Sequence, residues 1–341
     1  MSAVDGRVPD DGPAAPGRPK APAGPSGPRP LVVLGDANVD LVLRGDVVPR
    51  FGQAEQLADS GDLVLGGSAS IAACGTARLG VPTTLVARVG EDAFGRFTLE
   101  ALVDAGVQVG DVAVDPRTPT GFSVILSTPD DRAILTVPGT IPTLRAADVR
   151  AAAVWGTGPA HVHVASYFLQ PGLAAELPAL LAELRSAGLT TSLDTNWDPT
   201  ERWAGLAEVL PYVDVLLPNT NELQAIAAAL GAPPGCSDEA AARHVAALGP
   251  RVVVKAGADG GWSVAPDGPV VHAPGLTVDV VDTTGAGDSF DAGYLAAVAH
   301  GVVDEGRRLR WAAAAGSLST LGAGGTGHQA TLADLRRAGV V

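Results

Sequence analysis

From Leu31 onward the chain alternates short apolar runs with Ala/Leu-rich stretches, and few folds accommodate that rhythm. LVVLGD (31–36), TTLVARVG (83–90), HVHVAS (161–166), TTSLD (190–194), VDVLLPN (213–219) and RVVVKAG (251–257) each read as a buried strand ending in turn residues. Between them, residues 69–79, 94–104, 173–187, 221–229 and 238–248 carry apolar residues at helical spacing. Strand–helix alternation at this pace predicts βαβ units: an α/β, Rossmann-like, doubly wound and mainly parallel sheet covered on both faces. Ligand chemistry in such folds gathers at the carboxyl ends of the strands. Gly35-Asp36, Gly90-Glu91-Asp92, Asp194, Asn219 and Gly257 fall there.

Two segments break the rhythm. VLRGDVVPRFGQAEQLADSGDLVLGG (42–67) and TPTGFSVILSTPDDRAILTVPG (118–139) read as strands joined by turns with no helix between. FSVILST and RAILTVP flank Pro129-Asp130-Asp131, a natural hairpin turn. Antiparallel pieces of this kind predict a small β-sheet lid built from about residues 42–65 and 118–137. Residues 1–30 hold eight prolines and five glycines with scattered charges, a composition that predicts a disordered tail and no secretory signal. Residues 31–341 then form one domain, a size consistent with a single large α/β core.

The charge balance narrows the partners. With 23 Lys and Arg against 37 Asp and Glu, the formal net charge is −14. That excludes nucleic acid gripped through its phosphates and argues against an anionic membrane surface. No apolar run approaches the roughly 18 residues of a membrane span. Two cysteines, Cys74 and Cys236, form neither a disulfide framework nor a CxxC pair, which fits a reducing cytoplasm. Only two lysines occur, Lys20 and Lys255, so phosphate must be held mostly by other groups.

Neither lysine follows a glycine, so a GxxxxGK[ST] phosphate loop is excluded. Gly322, Gly324 and Gly327 satisfy GxGxxG, but they follow a helix-like stretch rather than a strand and read as a glycine-rich turn. That sets a dinucleotide oxidoreductase aside. His161 and His163 share a strand face without a third metal ligand at suitable spacing, so packing explains them.

The strongest signal is DTTGAGDSF (282–290), which opens the helical DAGYLAAVAH. Gly285, Ala286 and Gly287 form a helix start with almost no side-chain bulk. Its free N–H groups and positive dipole end make an anion site that needs no lysine. Asp288, in the first turn, is expected to stay ionised and to act as a general base beside that site. The alternative is an ordinary glycine-rich loop with a first-turn acid. Asn219 and Glu222 have capping-box spacing after the strand VDVLL, and the same pair could reach a phosphate or its magnesium. Asn38 and Asp40 have period-two spacing, and Gly66-Gly67-Ser68 opens the next helix, a set suited to a hydroxylated ligand.

Taken in order, these residues resemble the ribokinase-like (PfkB) carbohydrate kinases over about 31–335. DTTGAGDSF is similar to that family's C-terminal signature, and LGGSASIAACGTARLG with RVGEDAFG resembles its N-terminal one. GDANVD, the NxxE at 219–222 and VVVKAGADGG keep the family's order. The resemblance implies ATP-dependent phosphorylation of a hydroxymethyl group on a sugar or sugar-like acceptor. Asp288 would be the base, and Gly285, Ala286 and Gly287 the anion hole. Asn38, Asp40, Gly66, Gly67 and Ser68 would hold the acceptor under the lid. Asn219, Lys255, Gly257, Gly260 and Thr284 would lie against the nucleotide, and Glu222 would hold Mg²⁺ through water. Asp282 and the Thr284 carbonyl match part of a K⁺ site that some relatives carry. Separately from the resemblance, an exposed lid sheet makes a homodimer through its edge or face an expectation. LDTNWDPTERW (193–203) looks like a segment of sugar- and sugar-acid-type members. Ile71 stands where the family usually has an acceptor-binding Asn, which puts simple ribose specificity in doubt. A nucleoside kinase, or an inactive sugar-binding regulator on the same scaffold, are the competing expectations.

Overall fold

A computed structural model describes residues 27–52, 55–128 and 132–341. Most of the proline-rich tail, with Lys20, and the 129–131 turn lie outside the described residues. In chain order the strands are β1 (Leu31–Leu34), β2 (Asn38–Arg44), β3 (Ser60–Gly66), β4 (Thr83–Gly90), β5 (Val112–Asp115), β6 (Phe122–Ser127) and β7 (Arg132–Val137). They continue with β8 (His161–Val164), β9 (Thr190–Leu193), β10 (Val215–Leu216), β11 (Arg251–Lys255), β12 (Gly261–Val264) and β13 (Val271–Ala273). The helices are α1 (Ser68–Arg78), α2 (Ala93–Asp104), α3 (Ala146–Ala151), α4 (Pro171–Ser186) and α5 (Leu206–Val209). After them come α6 (Thr220–Ala229), α7 (Asp238–Ala246), α8 (Ala286–Ala299), α9 (Glu305–Ser319) and α10 (Leu332–Arg337).

Nine strands form one sheet in the order β13-β12-β11-β10-β9-β8-β1-β4-β5. The pairs from β11 through β5 are parallel, and β12 and β13 add an antiparallel edge. All four residues of β1 are buried, as expected of a central strand covered on both faces. One apolar layer gathers Leu177, Leu181, Leu223 and Val245 from α4, α6 and α7. The other gathers Cys74, Leu102, Tyr294 and Trp311 from α1, α2, α8 and α9. Each such side chain taken fully out of water contributes about 1.5–3 kcal/mol. Helices α1 and α8 approach very closely at Gly75, where a Cβ would lie 2.6 Å from that of Ala292. The predicted strand 213–219 shortens to Val215–Leu216. Pro218 has no N–H to offer the ladder, and pairing continues only through single bonds such as Lys255 N–H to the Pro218 carbonyl.

The second sheet runs β3-β2-β6-β7 and uses the two segments that break the helical rhythm. It is mixed rather than antiparallel throughout: β2–β3 and β6–β7 are hairpins, but β2 and β6 pair in parallel. Two separate hairpins leave the main sheet in the same direction, and their first strands meet at the centre. No helix among the described residues is long and apolar enough to cross a membrane.

Candidate active site

The carboxyl ends of β1, β9, β10 and β11 converge on the starts of α1, α6 and α8, with the small sheet alongside. Two adjoining cavities result. One, of about 520 Å³, is lined by Asn38, Asp40, Gly67, Ser68, Asn219, Glu222, Thr284, Gly285 and Asp288, and by Ser123, Arg132, Ile134 and Thr136 of the small sheet. The other, of about 450 Å³, is lined by Gly260, Leu276, Val278, Val280, Ala286, Ala313 and Thr320. Lys255, Gly257 and Gly287 border both. The sequence-predicted residues thus come together apart from two. Gly66 lies behind Asp40, where a Cβ would collide with its carboxylate, and Asp282 sits in the loop behind Thr284.

Helix α8 starts at Gly285 in the left-handed region (φ 69°) with no side-chain cap. A Cβ there would lie 2.7 Å from Gly325 Cα and 3.1 Å from Ile71 Cγ2. Ile71 therefore backs the glycine turn with an apolar wall as well as lining the larger cavity. The Ala286 N–H does not face out as expected. It donates to the Thr283 carbonyl at 3.2 Å, because the turn closes on itself. The Gly285 and Gly287 N–H groups find no protein acceptor among the described residues and stay open at the helix start.

Asp288 also departs from expectation. Burial and the charge of Asp194 push its carboxyl up to about 7, outweighing Lys255 and the helix dipole. Asp40 is raised to about 6 by burial and by Asp36; its Oδ1 accepts from Asn38 Nδ2 at 3.0 Å. Asp36 accepts from the backbone N–H groups of Ser68 (3.3 Å) and Ala69 (2.9 Å) and so caps α1 from β1. Asn219 and Glu222 do make the reciprocal capping box. The Asn219 N–H donates to Glu222 Oε2 (2.8 Å), and the Glu222 N–H donates to Asn219 Oδ1 (2.9 Å). Both residues nevertheless face the cavity, and burial lifts Glu222 to about 7. Capping and ligand contact are therefore compatible here.

Lys255 differs most from its expected place. Its ammonium donates to Asp194 Oδ2 (2.6 Å) and Asp291 Oδ2 (3.2 Å) and is only 9% exposed, so it belongs to an acid cluster before it belongs to a nucleotide. Asp194, Asp288 and Asp291 have oxygens within 4.8 Å of one another. Asp282 accepts from the N–H and hydroxyl of Thr284 and from the Gly324 N–H (2.7–2.9 Å); against burial, these bonds hold it below the usual carboxylate range. Arg132 reaches from β7 to the Thr284 hydroxyl (3.1 Å), linking the small sheet to the anion turn. His161 and His163 both meet Ser192 Oγ in the buried sheet, consistent with packing.

Sequence reasoning placed Asp36 only as an acid at a strand end, without a role, and did not place Asp291, Arg132 or Trp197 in the site. Asp291 could have been found as the residue one turn beyond Asp288 on the same face. Trp197, in the 193–203 segment, lines the larger cavity, is 48% exposed and packs edge-on to Trp203 at 5.1 Å.

Two cavities meeting at a bare helix start, with a carboxyl group on the first turn and a separate β-sheet against one of them, define a two-substrate group-transfer enzyme on an α/β scaffold. The pfkB family carbohydrate kinase profile matches residues 29–331, and the chain belongs to that family. It is 31% identical over 305 residues to a ribokinase of Arabidopsis thaliana, covering 85% of this chain and 75% of that protein. A fructokinase of Klebsiella pneumoniae is 32% identical over 288 residues, covering 80% and 85%. The structure of Arabidopsis thaliana ribokinase complexed with ribose and ATP superposes with a TM-score of 0.76 at 27% identity, covering 91% of this chain and 98% of that one.

Proposed function

We propose that this protein transfers the terminal phosphoryl group of ATP to a hydroxymethyl group of a sugar or sugar-like acceptor. The observation that carries this reading is the uncapped start of α8 at the meeting of the two cavities, with Asp288 facing the larger one. The smaller cavity, walled by Leu276, Val278, Val280 and Ala313, suits a nucleotide base and ribose. Gly257 and Gly260 border it, and Asn219 stands toward the phosphates. The larger cavity takes the acceptor, with Asp36, Asn38, Asp40 and Ser68 on its polar side. Asp288 accepts the hydroxyl proton, the acceptor oxygen bonds to phosphorus, and ADP leaves. The Gly285 and Gly287 N–H groups take up charge on the phosphoryl oxygens.

Glu222 fits magnesium: it is a buried carboxylate facing the cavity, with one oxygen committed to the Asn219 N–H and the other left for the ion's waters. Glu222 would hold the ion through water, and bound magnesium would spread the phosphate charge. Glu222→Gln is expected to raise the magnesium concentration needed for half-maximal rate. Asp282, held ionised, and the carbonyl of Thr284 fit a monovalent cation such as potassium, which would steady the loop.

A second reading, a nucleoside acceptor, is favoured by Ile71, Ile134, Ile141, Leu169 and the half-exposed Trp197, an apolar wall facing the polar one. The small sheet also exposes Leu41, Leu63, Leu135 and Val137. All four lie on strand positions that alternate with the cavity-facing ones, an apolar face suited to a second copy of the chain. Leu135→Lys would then lower the mass in solution. The deciding assay measures ATP consumption over pentoses, hexoses, sugar acids and nucleosides. Transfer to a sugar supports the first reading and preference for a nucleoside the second. ATP binding without transfer to any acceptor overturns both in favour of a regulator.

A further inference from the structure

Lys255 is the cation of a cluster that the phosphoryl-transfer reading does not itself require. Its Nζ bonds Asp194 at the end of β9 and Asp291 on α8, both 1% exposed. Asp291 lies one turn beyond Asp288 and brings its carboxylate within 4.8 Å of Asp194 and Asp288. Three carboxyl groups so close repel one another unless a positive charge stands among them, and the ammonium supplies it. It also borders both cavities, and a Cβ at Gly287 would lie 3.7 Å from Nζ, so it stands beside the anion turn. An ammonium has three N–H donors. Two are directed to Asp194 and Asp291, leaving one for the seam between the cavities. The outer oxygen of Asp291, Oδ1, is buried without a hydrogen-bond partner. Burial and the neighbouring Asp194 raise the Asp291 carboxyl well above the ordinary range. The ionised partner of the ammonium is therefore Asp194, which, against burial, Lys255 holds below that range.

We propose that Asp194 and Asp291 are positioning residues that hold the Lys255 ammonium at the seam of the two cavities, where it meets the phosphoryl group in transit and stands as counter-charge to Asp288. This rests on the phosphoryl-transfer reading above. In the step, the acceptor O–H proton passes to Asp288, the new O–P bond forms and the bond to ADP breaks, while Lys255 keeps all its protons. Burial alone would lower Lys255, but Asp194, Asp291 and Glu222 hold it well above its ordinary range, so it stays charged throughout. The other charged groups facing Asp288 are Asp36 after β1, Asp40 on β2, Glu222 on α6 and Arg132 on β7. His163 on β8 is held neutral, pushed down to about 4 by burial.

The test compares wild type, Lys255→Met and Asp194→Asn with ATP, Mg²⁺ and whichever acceptor the wild type uses. It reads kcat, both KM values and the pH profile of kcat/KM. For K255M, kcat falls about a hundredfold while the KM for ATP changes little, and the acid limb moves up by about one pH unit because Asp288 loses its counter-charge. For D194N, kcat falls about tenfold and the acid limb moves down, because the like charge that raises Asp288 is gone. A purely structural triad would lower the melting temperature of both variants and leave the limbs where they are. Should K255M fail to fold, D194N decides: an unmoved limb overturns the inference. A wild type that turns over with K255M within threefold of it overturns the inference alone. A wild type that phosphorylates nothing overturns the kinase reading and this inference with it.

Discussion

Helices α1 and α8 begin alike and end up with opposite tasks. Each starts on a glycine with positive φ, Gly67 at 87° and Gly285 at 69°, and neither glycine can cap with a side chain. Both starts open on the same cavity. At α1 the positive end is already occupied, because the Asp36 carboxylate reaches over from β1 to the Ser68 and Ala69 N–H groups. At α8 no carboxylate arrives, and the Gly285 and Gly287 N–H groups stay open. A bare helix start therefore becomes an anion site only where the fold supplies no internal anion. The filled start instead becomes an edge of the larger cavity, where Ser68 accepts from Asn196 Nδ2 (2.9 Å) and so ties the 193–203 segment to α1.

The comparison can be broken most severely at Asp288. Asp288→Asn should lower kcat by about a thousandfold with ATP affinity nearly intact, since the base is removed and the turn is kept; calorimetric ATP binding beside turnover checks this. Gly285→Ala forces a side chain into a left-handed turn and against Gly325. It should cost roughly a hundredfold in kcat and about 1 kcal/mol in stability, read from turnover and urea unfolding. Asp36→Ala empties the α1 start instead. It should destabilise by about 1–2 kcal/mol and raise the acceptor KM more than it lowers kcat.

The smallest effect is in pH. Asp288 titrates at about 7 in the folded chain, raised chiefly by burial, against the ordinary carboxylate range when unfolded. Below that ordinary range its contribution to stability is complete, and it is lost as pH rises through about 7. Catalysis runs the other way, because only the ionised carboxylate can take a proton. The ligand-free protein should therefore melt at falling temperature over the window in which kcat/KM rises. D288N should flatten the melting trend.

The doubly wound sheet was readable because its strands are apolar on both faces and its helices keep their spacing, both local properties. DTTGAGDSF was readable because bare glycines before an acid have few structural uses. What escaped was non-local. The parallel pairing of β2 with β6 joins segments some 80 residues apart in the chain. The Asp36 cap spans 33 residues, and the Lys255–Asp194 bond spans 61. Asp288 was expected to be ionised from its helix position alone. Its burial beside Asp194, visible only in the assembled fold, lifts it to about 7, so that near neutrality it is only partly ionised.

Gly75 brings α1 and α8 almost into backbone contact, so the acceptor-side and phosphoryl-side edges of the cavity form one inflexible block. Any difference in acceptor size must then be absorbed by the small sheet, whose Arg132, Ile134 and Thr136 complete the wall. On the proposed reading, acceptor preference is separable from the transfer machinery: a library confined to β6 and β7 is expected to redirect transfer to new alcohols while leaving the chemistry at α8 untouched.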